Sequence, residues 1–155
     1  MASEDVPRLY HSTAVLLPDG RVLSAGGGEY RMPDGSENDP ANSHKDGQIF
    51  SPPYLFHGAR PDITSAPGDV TYGQAFDVGT SAPDQVGMVT WIRLSSVTHA
   101  FNQNQRLNFL KFTSDATKLT VTAPANANVY PPGHYMLFIL NKDKIPSVAK
   151  IVRIH

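Results

Sequence analysis

With 155 residues, 40% of them hydrophobic and 17% charged, the chain holds enough material for one ordinary domain, or one domain and a fragment of another. Its formal net charge is −1, with no basic block and no acidic tail, so nothing electrostatic points to nucleic acid or an anionic membrane as partner. Cysteine is absent, which excludes a disulfide framework, a thiolate metal site and a cysteine nucleophile.

The first residues, MASEDVP, lack the basic start and apolar core of a signal peptide and read as an engineered start. Residues 1 to about 30 predict a β-hairpin. Within them RLYHSTAVLLPDGRVLSAGGG (8–28) places Tyr10 and His11 ahead of an apolar run, turns at Pro18-Asp19-Gly20, and closes a second apolar run with Gly26-Gly27-Gly28. A two-stranded hairpin is marginal in water, so it must pack on the rest of the chain or belong to a larger sheet. Strands ending in Gly-Gly are what propellers repeat as blades, although no second copy occurs in this sequence. Residues 29–47, EYRMPDGSENDPANSHKDG, follow without hydrophobic periodicity and read as a linker or functional loop.

From Gln48 onward the pieces QIF, QAFDVG, MVTWIRL, RLNFLKF, KLTVTA, HYMLFIL and AKIVRI are each β-branched, aromatic or alternating, and each is bounded by turn formers. About seven such strands at this turn density predict an immunoglobulin-like sandwich, with Trp91 as a core aromatic. The expected class is therefore all-β, with a hairpin and loop over 1–47 and a sandwich over 48–155. The longest apolar run, YMLFIL (135–140), is far too short to span a bilayer.

Six histidines are present, and none is spaced from another as in a local zinc motif, so any metal site must be assembled from distant segments. His44, His57 and His155 sit in a loop, beside turn residues and at the chain end, and read as solvated. His99, in SSVTHAFNQNQR, lies where a strand pattern gives way to small and polar residues. It has two readings: projection into a neighbouring cavity, or a loop histidine bonding a backbone carbonyl. Tyr10 and His11 pose a geometric problem, because successive side chains of a regular strand point to opposite faces. Both can reach one ion only if the backbone twists or bulges there, or if one is an axial ligand. Otherwise Tyr10 packs inward while His11 faces out. Imidazoles with a phenol suit Cu(II) above other common divalent ions. Arg93, Asn102, Gln103, Asn104 and Arg106 can present polar groups to a sugar or a partner surface, or are simply solvated.

Four segments in this order, RLYHSTAVLLPDGRVLSAGGG, QIFSPPYLF, SSVTHAFNQNQR and PPGHYMLFILNKDKIPSVAKIVRI, resemble the C-terminal part of the galactose oxidase and glyoxal oxidase family of copper radical oxidases. The resemblance covers nearly the whole chain. It implies an immunoglobulin-like (E-set) domain that follows a kelch-type β-propeller in a secreted enzyme. It also implies that residues 1–47 carry part of one blade. By that resemblance Tyr10 is an axial copper ligand and proton acceptor, and His11 and His99 are equatorial copper ligands. The family oxidises an alcohol or aldehyde by two electrons and reduces oxygen to peroxide, using a tyrosine cross-linked to a cysteine. That cysteine cannot come from this chain.

The resemblance therefore implies a C-terminal portion of such an oxidase, inactive alone, whose partner is the propeller portion and whose substrate is a small alcohol or aldehyde. Without that portion the apolar face of residues 12–25 is expected to be open to self-association. The competing expectation is a stand-alone β-sandwich binding or structural module with no catalytic activity.

Overall fold

The computed structural model describes residues 2–28 and 43–155, so most of the polar 29–47 loop lies outside the described residues. The ordered elements are β-strands and short 3-10 turns, as the alternating pattern requires. They fall into two units. The first comprises the described residues of Met1–Leu17, Arg21–Pro52 and Ser95–Asn104; the second comprises Pro18–Gly20, Pro53–Leu94 and Gln105–His155.

In the first unit, β1 (Ser12–Leu16) pairs antiparallel with β2 (Val22–Gly26), and β2 pairs with β3 (Gly47–Phe50). The register sets Ser12 opposite Gly26, and Ala25 opposite Gly47. The Gln48–Phe50 stretch, grouped with the sandwich from sequence, thus extends the hairpin sheet. A separate two-stranded ribbon joins β7 (Val97–Thr98) to β8 (Phe101–Asn102). Residues 95–104 likewise group with the first unit, although they follow a sandwich strand in the chain.

The second unit is a sandwich. One sheet runs in the order β4 (Asp69–Val70), β13 (Lys150–Ile154), β12 (Gly133–Asn141), β6 (Val86–Arg93) and β9 (Leu107–Leu110). The other runs β10 (Phe112–Ser114), β11 (Lys118–Thr122) and β5 (Ala75–Gly79). Alternation decides what faces inward. Phe76 and Val78 on β5, and Leu119 and Val121 on β11, meet Val89, Trp91, Tyr135, Leu137, Ile139, Val152 and Ile154 from the larger sheet. Trp91 is fully buried, stacked on Phe76 with centroids 5.7 Å apart and tilted against Tyr135 at 5.4 Å. The expected core aromatic thus ties the two sheets together.

Strand β12 is apolar on both faces because both are buried: Met136 and Phe138 are as hidden as Leu137. Around them Arg60 donates to the carbonyls of Pro146 (2.8 Å) and Ser147 (2.6 Å), and the buried Ser147 hydroxyl accepts the N–H of Ile139 at 3.1 Å. Within the same unit, Ala149 N–H donates to Pro18 O at 2.8 Å and Tyr54 donates to Gly20 O at 2.6 Å.

Candidate metal centre

The sequence question was how adjacent residues could present their rings to one point. They are not on a strand. β1 begins at Ser12, and Ser12 N–H donates to Leu9 O at 3.2 Å, closing a four-residue turn over Leu9, Tyr10, His11 and Ser12. His11 is left-handed (φ 61°), and Tyr10 is not among the positive-φ residues. This is the pattern of a type II turn, whose third position ordinarily holds Gly or Asn. The turn carries both rings to one side. Their centroids lie 3.9 Å apart, and both side chains are exposed, so Tyr10 does not pack inward.

The glycine triplet secures this turn from beneath. Gly28 N–H donates to Tyr10 O at 3.0 Å. Gly27 has φ 105°, and a Cβ there would stand 3.1 Å from Arg8 Cα and 3.3 Å from Leu9 N. Only glycine permits both that φ and that approach. Arg8, two residues before Tyr10, has a buried side chain: its Nη1 donates to Gly26 O (2.9 Å) and Asp46 O (3.2 Å), and its Nη2 meets the Asp46 carboxylate at 3.2 Å. The Arg8 guanidinium holds the Asp46 carboxyl below its ordinary range.

His99 arrives on the second ribbon. With Val97 opposite Asn102 and Thr98 opposite Phe101, the loop is the two residues His99 and Ala100, at φ 52° and 63°. Positive φ at both central positions defines a type I′ hairpin, where Asn-Gly is the usual choice. Asn102 frames it: its side-chain oxygen accepts the N–H of Ser96 and of Asn104, both at 3.1 Å, and its amide donates to Ser95 Oγ at 3.2 Å. Asn102 is thus occupied internally instead of displayed to a ligand. Arg93 and Arg106, in the other unit, donate to the carbonyls of Pro132 and Val129.

The two turns bring the three rings together. His11 and His99 stand 4.6 Å apart at an interplanar angle of 70°, and Tyr10 and His99 stand 6.2 Å apart. His99 Nδ1 lies 2.7 Å from Thr98 Oγ1, so Nε2 is the nitrogen left for another ligand; the backbone-carbonyl bond considered from sequence is not what engages this ring. Among the described residues no three His, Cys, Asp or Glu side chains gather at a metal-binding distance, so a three-donor site here needs the phenol of Tyr10 as its third donor. Two imidazoles and a phenol, exposed and with ring centroids 3.9, 4.6 and 6.2 Å apart, are a donor set that suits a borderline metal such as Cu(II). His57, His134 and His155 are exposed in the second unit; His44 is half-buried, its N–H donating to Gly27 O at 2.9 Å.

Sequence reasoning singled out Tyr10, His11 and His99 but missed their supports. The glycine triplet was visible as a strand ending; its role as a close-approach platform was not. Arg8 and Asp46 are separated by the 29–42 stretch, and no local pattern links them. Thr98 carried no signal beyond adjacency.

The sequence profile of the family described as "Galactose oxidase-like, Early set domain" matches residues 60–154. The chain is 39% identical to the aldehyde oxidase GLOX of Vitis pseudoreticulata over 96% of its own length and 30% of that protein's. It is 33% identical to galactose oxidase of Gibberella zeae, again over 96% of this chain, spanning 22% of that enzyme. A solved structure of a fungal alcohol oxidase of the AA5 family, in complex with copper, superposes with a TM-score of 0.83 at 34% identity, covering 99% of this chain and 32% of that one. The chain thus spans about a third or less of the length of these relatives.

Proposed function

Because the chain belongs to the galactose oxidase-like Early set family, we propose that it is the C-terminal portion of a secreted copper radical oxidase, with Tyr10, His11 and His99 as its copper ligands. The observation that carries the reading is the convergence of these three rings on two left-handed turns. Non-glycine residues held at positive φ cost on the order of 1–3 kcal/mol each and persist where the arrangement serves a purpose. His11 and His99 are both such residues, and they are the two imidazoles of the cluster.

The reaction proposed for the complete enzyme takes two electrons and two protons from a small alcohol or aldehyde hydrate and delivers both to dioxygen, giving the carbonyl or acid product and hydrogen peroxide. Copper, when bound, supplies the one-electron redox partner and the Lewis acid. The residues of this chain do the rest of what can be assigned to them. His11 and His99 would hold the ion, and Tyr10, deprotonated to its phenolate, would accept the substrate hydroxyl proton at its oxygen, a general-base role. The second tyrosine and its cysteine partner must come from the remainder of the protein, as this chain has no cysteine. In this reading residues 1–47, with the β1–β2 hairpin, carry part of one propeller blade, and the hairpin associates with the missing blades or, in isolation, with a second copy of itself.

Copper titration of the full chain tests the reading. One-to-one Cu(II) binding is expected, weakened at least tenfold by His11→Ala and by His99→Ala, with no peroxide formed from alcohols or aldehydes. Weak binding indifferent to both substitutions would favour the stand-alone sandwich module. Peroxide formation by the chain alone would overturn the dependence on a missing portion.

A further inference from the structure

Outside the three rings, one contact bears directly on which atom of His99 a metal can reach. Thr98 Oγ1 lies 2.7 Å from His99 Nδ1. The distance suits a hydrogen bond in either direction. If the hydroxyl donates, Nδ1 is the acceptor, the ring proton sits on Nε2, and Nε2 has no lone pair to give. If Nδ1–H donates to the hydroxyl oxygen, the lone pair is on Nε2. Thr98 and His99 are both exposed, so water satisfies either arrangement, and the second alone leaves Nε2 a lone pair for a metal.

We propose that Thr98 is a positioning residue for the metal centre: its hydroxyl accepts the Nδ1–H of His99, selects the Nδ1–H tautomer, and so presents Nε2 as the ligand atom. The inference rests on the copper reading above for its purpose and for the direction of the hydrogen bond, while the contact itself is observed. Three features support it. His99 occupies the first central position of a two-residue loop, so its backbone is set by the ribbon and its ring needs a side-chain tether to fix χ2. Thr98 is the last residue of β7, and as a β-branched residue it has few rotamers to lose. An outer hydrogen bond to the remote ring nitrogen orients metal-binding histidines and raises their basicity; losing one costs about 10–100-fold in metal affinity.

Two full-chain variants separate the hydroxyl from the shape of the side chain. Thr98→Val keeps the branched outline and removes the acceptor, whereas Thr98→Ser keeps the acceptor. In metal-free protein at a pH where the imidazole is neutral, nitrogen-detected NMR of the His99 ring is expected to report the Nδ1–H tautomer in the parent chain and in Thr98→Ser. A shift toward Nε2–H is expected in Thr98→Val. Cu(II) affinity should fall about 10–100-fold in Thr98→Val and return in Thr98→Ser. An Nε2–H tautomer in the parent chain, or a tautomer and affinity unchanged in Thr98→Val, would overturn the proposal. Failure of the copper reading looks different. The parent chain would bind no stoichiometric copper, while the tautomer still followed the hydroxyl.

Discussion

At the scale of single residues, the backbone around the three rings is where sequence reasoning and structure part company. Tyr10 and His11 were legible as candidate donors because two metal-competent residues stood together at a hairpin. Their geometry was not, since the pattern left open whether the backbone ran on as a strand or twisted there. The turn that removes the opposite-face problem needs His11 at φ 61°, and nothing in a Tyr-His dipeptide announces a left-handed histidine. His99-Ala100 is harder still, because a type I′ loop normally declares itself by Asn-Gly, and alanine in place of that glycine resists the conformation. Ala100 offers a test of how much strain the ribbon holds. Its φ of 63° penalises a Cβ by about 1–2 kcal/mol, and glycine there gives back part of that gain through unfolded-state entropy. Ala100→Gly is therefore expected to stabilise the ribbon by about 0.5–1 kcal/mol. The gain should appear as slower hydrogen exchange of the Gln103 amide, which donates to Ser96 O at 3.0 Å. Faster exchange would mean that Ala100 is not strained as its φ indicates.

At the scale of elements, the β1–β2 hairpin was legible almost to the residue, with its Pro18-Asp19-Gly20 turn and its glycine ending. The third strand of its sheet was not. Short apolar runs such as QIF state that a strand exists but not which neighbour it chooses, because pairing is decided by register across the chain. The same limit hid the Arg8–Asp46 pair, which fastens the β3 side of the sheet to the residue preceding the Tyr10–His11 turn. That contact has a pH signature. Asp46 is held below its usual value of 3.8 chiefly by the hydrogen bond from Arg8. A carboxyl depressed on folding contributes support that is complete above the unfolded value and lost as pH falls through the lower folded one. Amide exchange at Gly28, whose N–H bonds Tyr10 O, should thus accelerate below pH ~4 in the parent chain. In Asp46→Asn the exchange is expected to be faster at neutral pH, with the two chains converging in acid after correction for intrinsic exchange. A gap that persisted undiminished to pH ~2.5 would show that the charge on Asp46 is not what secures the turn.

At the scale of the whole molecule, the sandwich was the most legible part, because alternation in β5 and β11 leaves little choice of inward face. Two features escaped. Residues 95–104 leave the sandwich, and β9 and β10 belong to different sheets although only Lys111 separates them. The bridge between those sheets is the ring stack of Phe76, Trp91 and Tyr135, and it contains a flaw that makes a discriminating experiment. The Trp91 indole N–H is buried with no hydrogen-bond partner among the described residues. Trp91→Ala removes the stack and leaves a cavity, at a cost of about 3–5 kcal/mol, a large share of the stability of an ordinary domain. Trp91→Phe keeps an aromatic ring against Phe76 and deletes the unpaired donor, so the relief of desolvation offsets part of the lost volume. Its cost is expected to stay below about 2 kcal/mol. Because Trp91 is the single tryptophan, both variants remove the fluorescence signal, and urea unfolding followed by circular dichroism is the suitable measurement. If Trp91→Phe proved as costly as Trp91→Ala, the indole N–H must be bonded in solution, with a buried water as the natural acceptor.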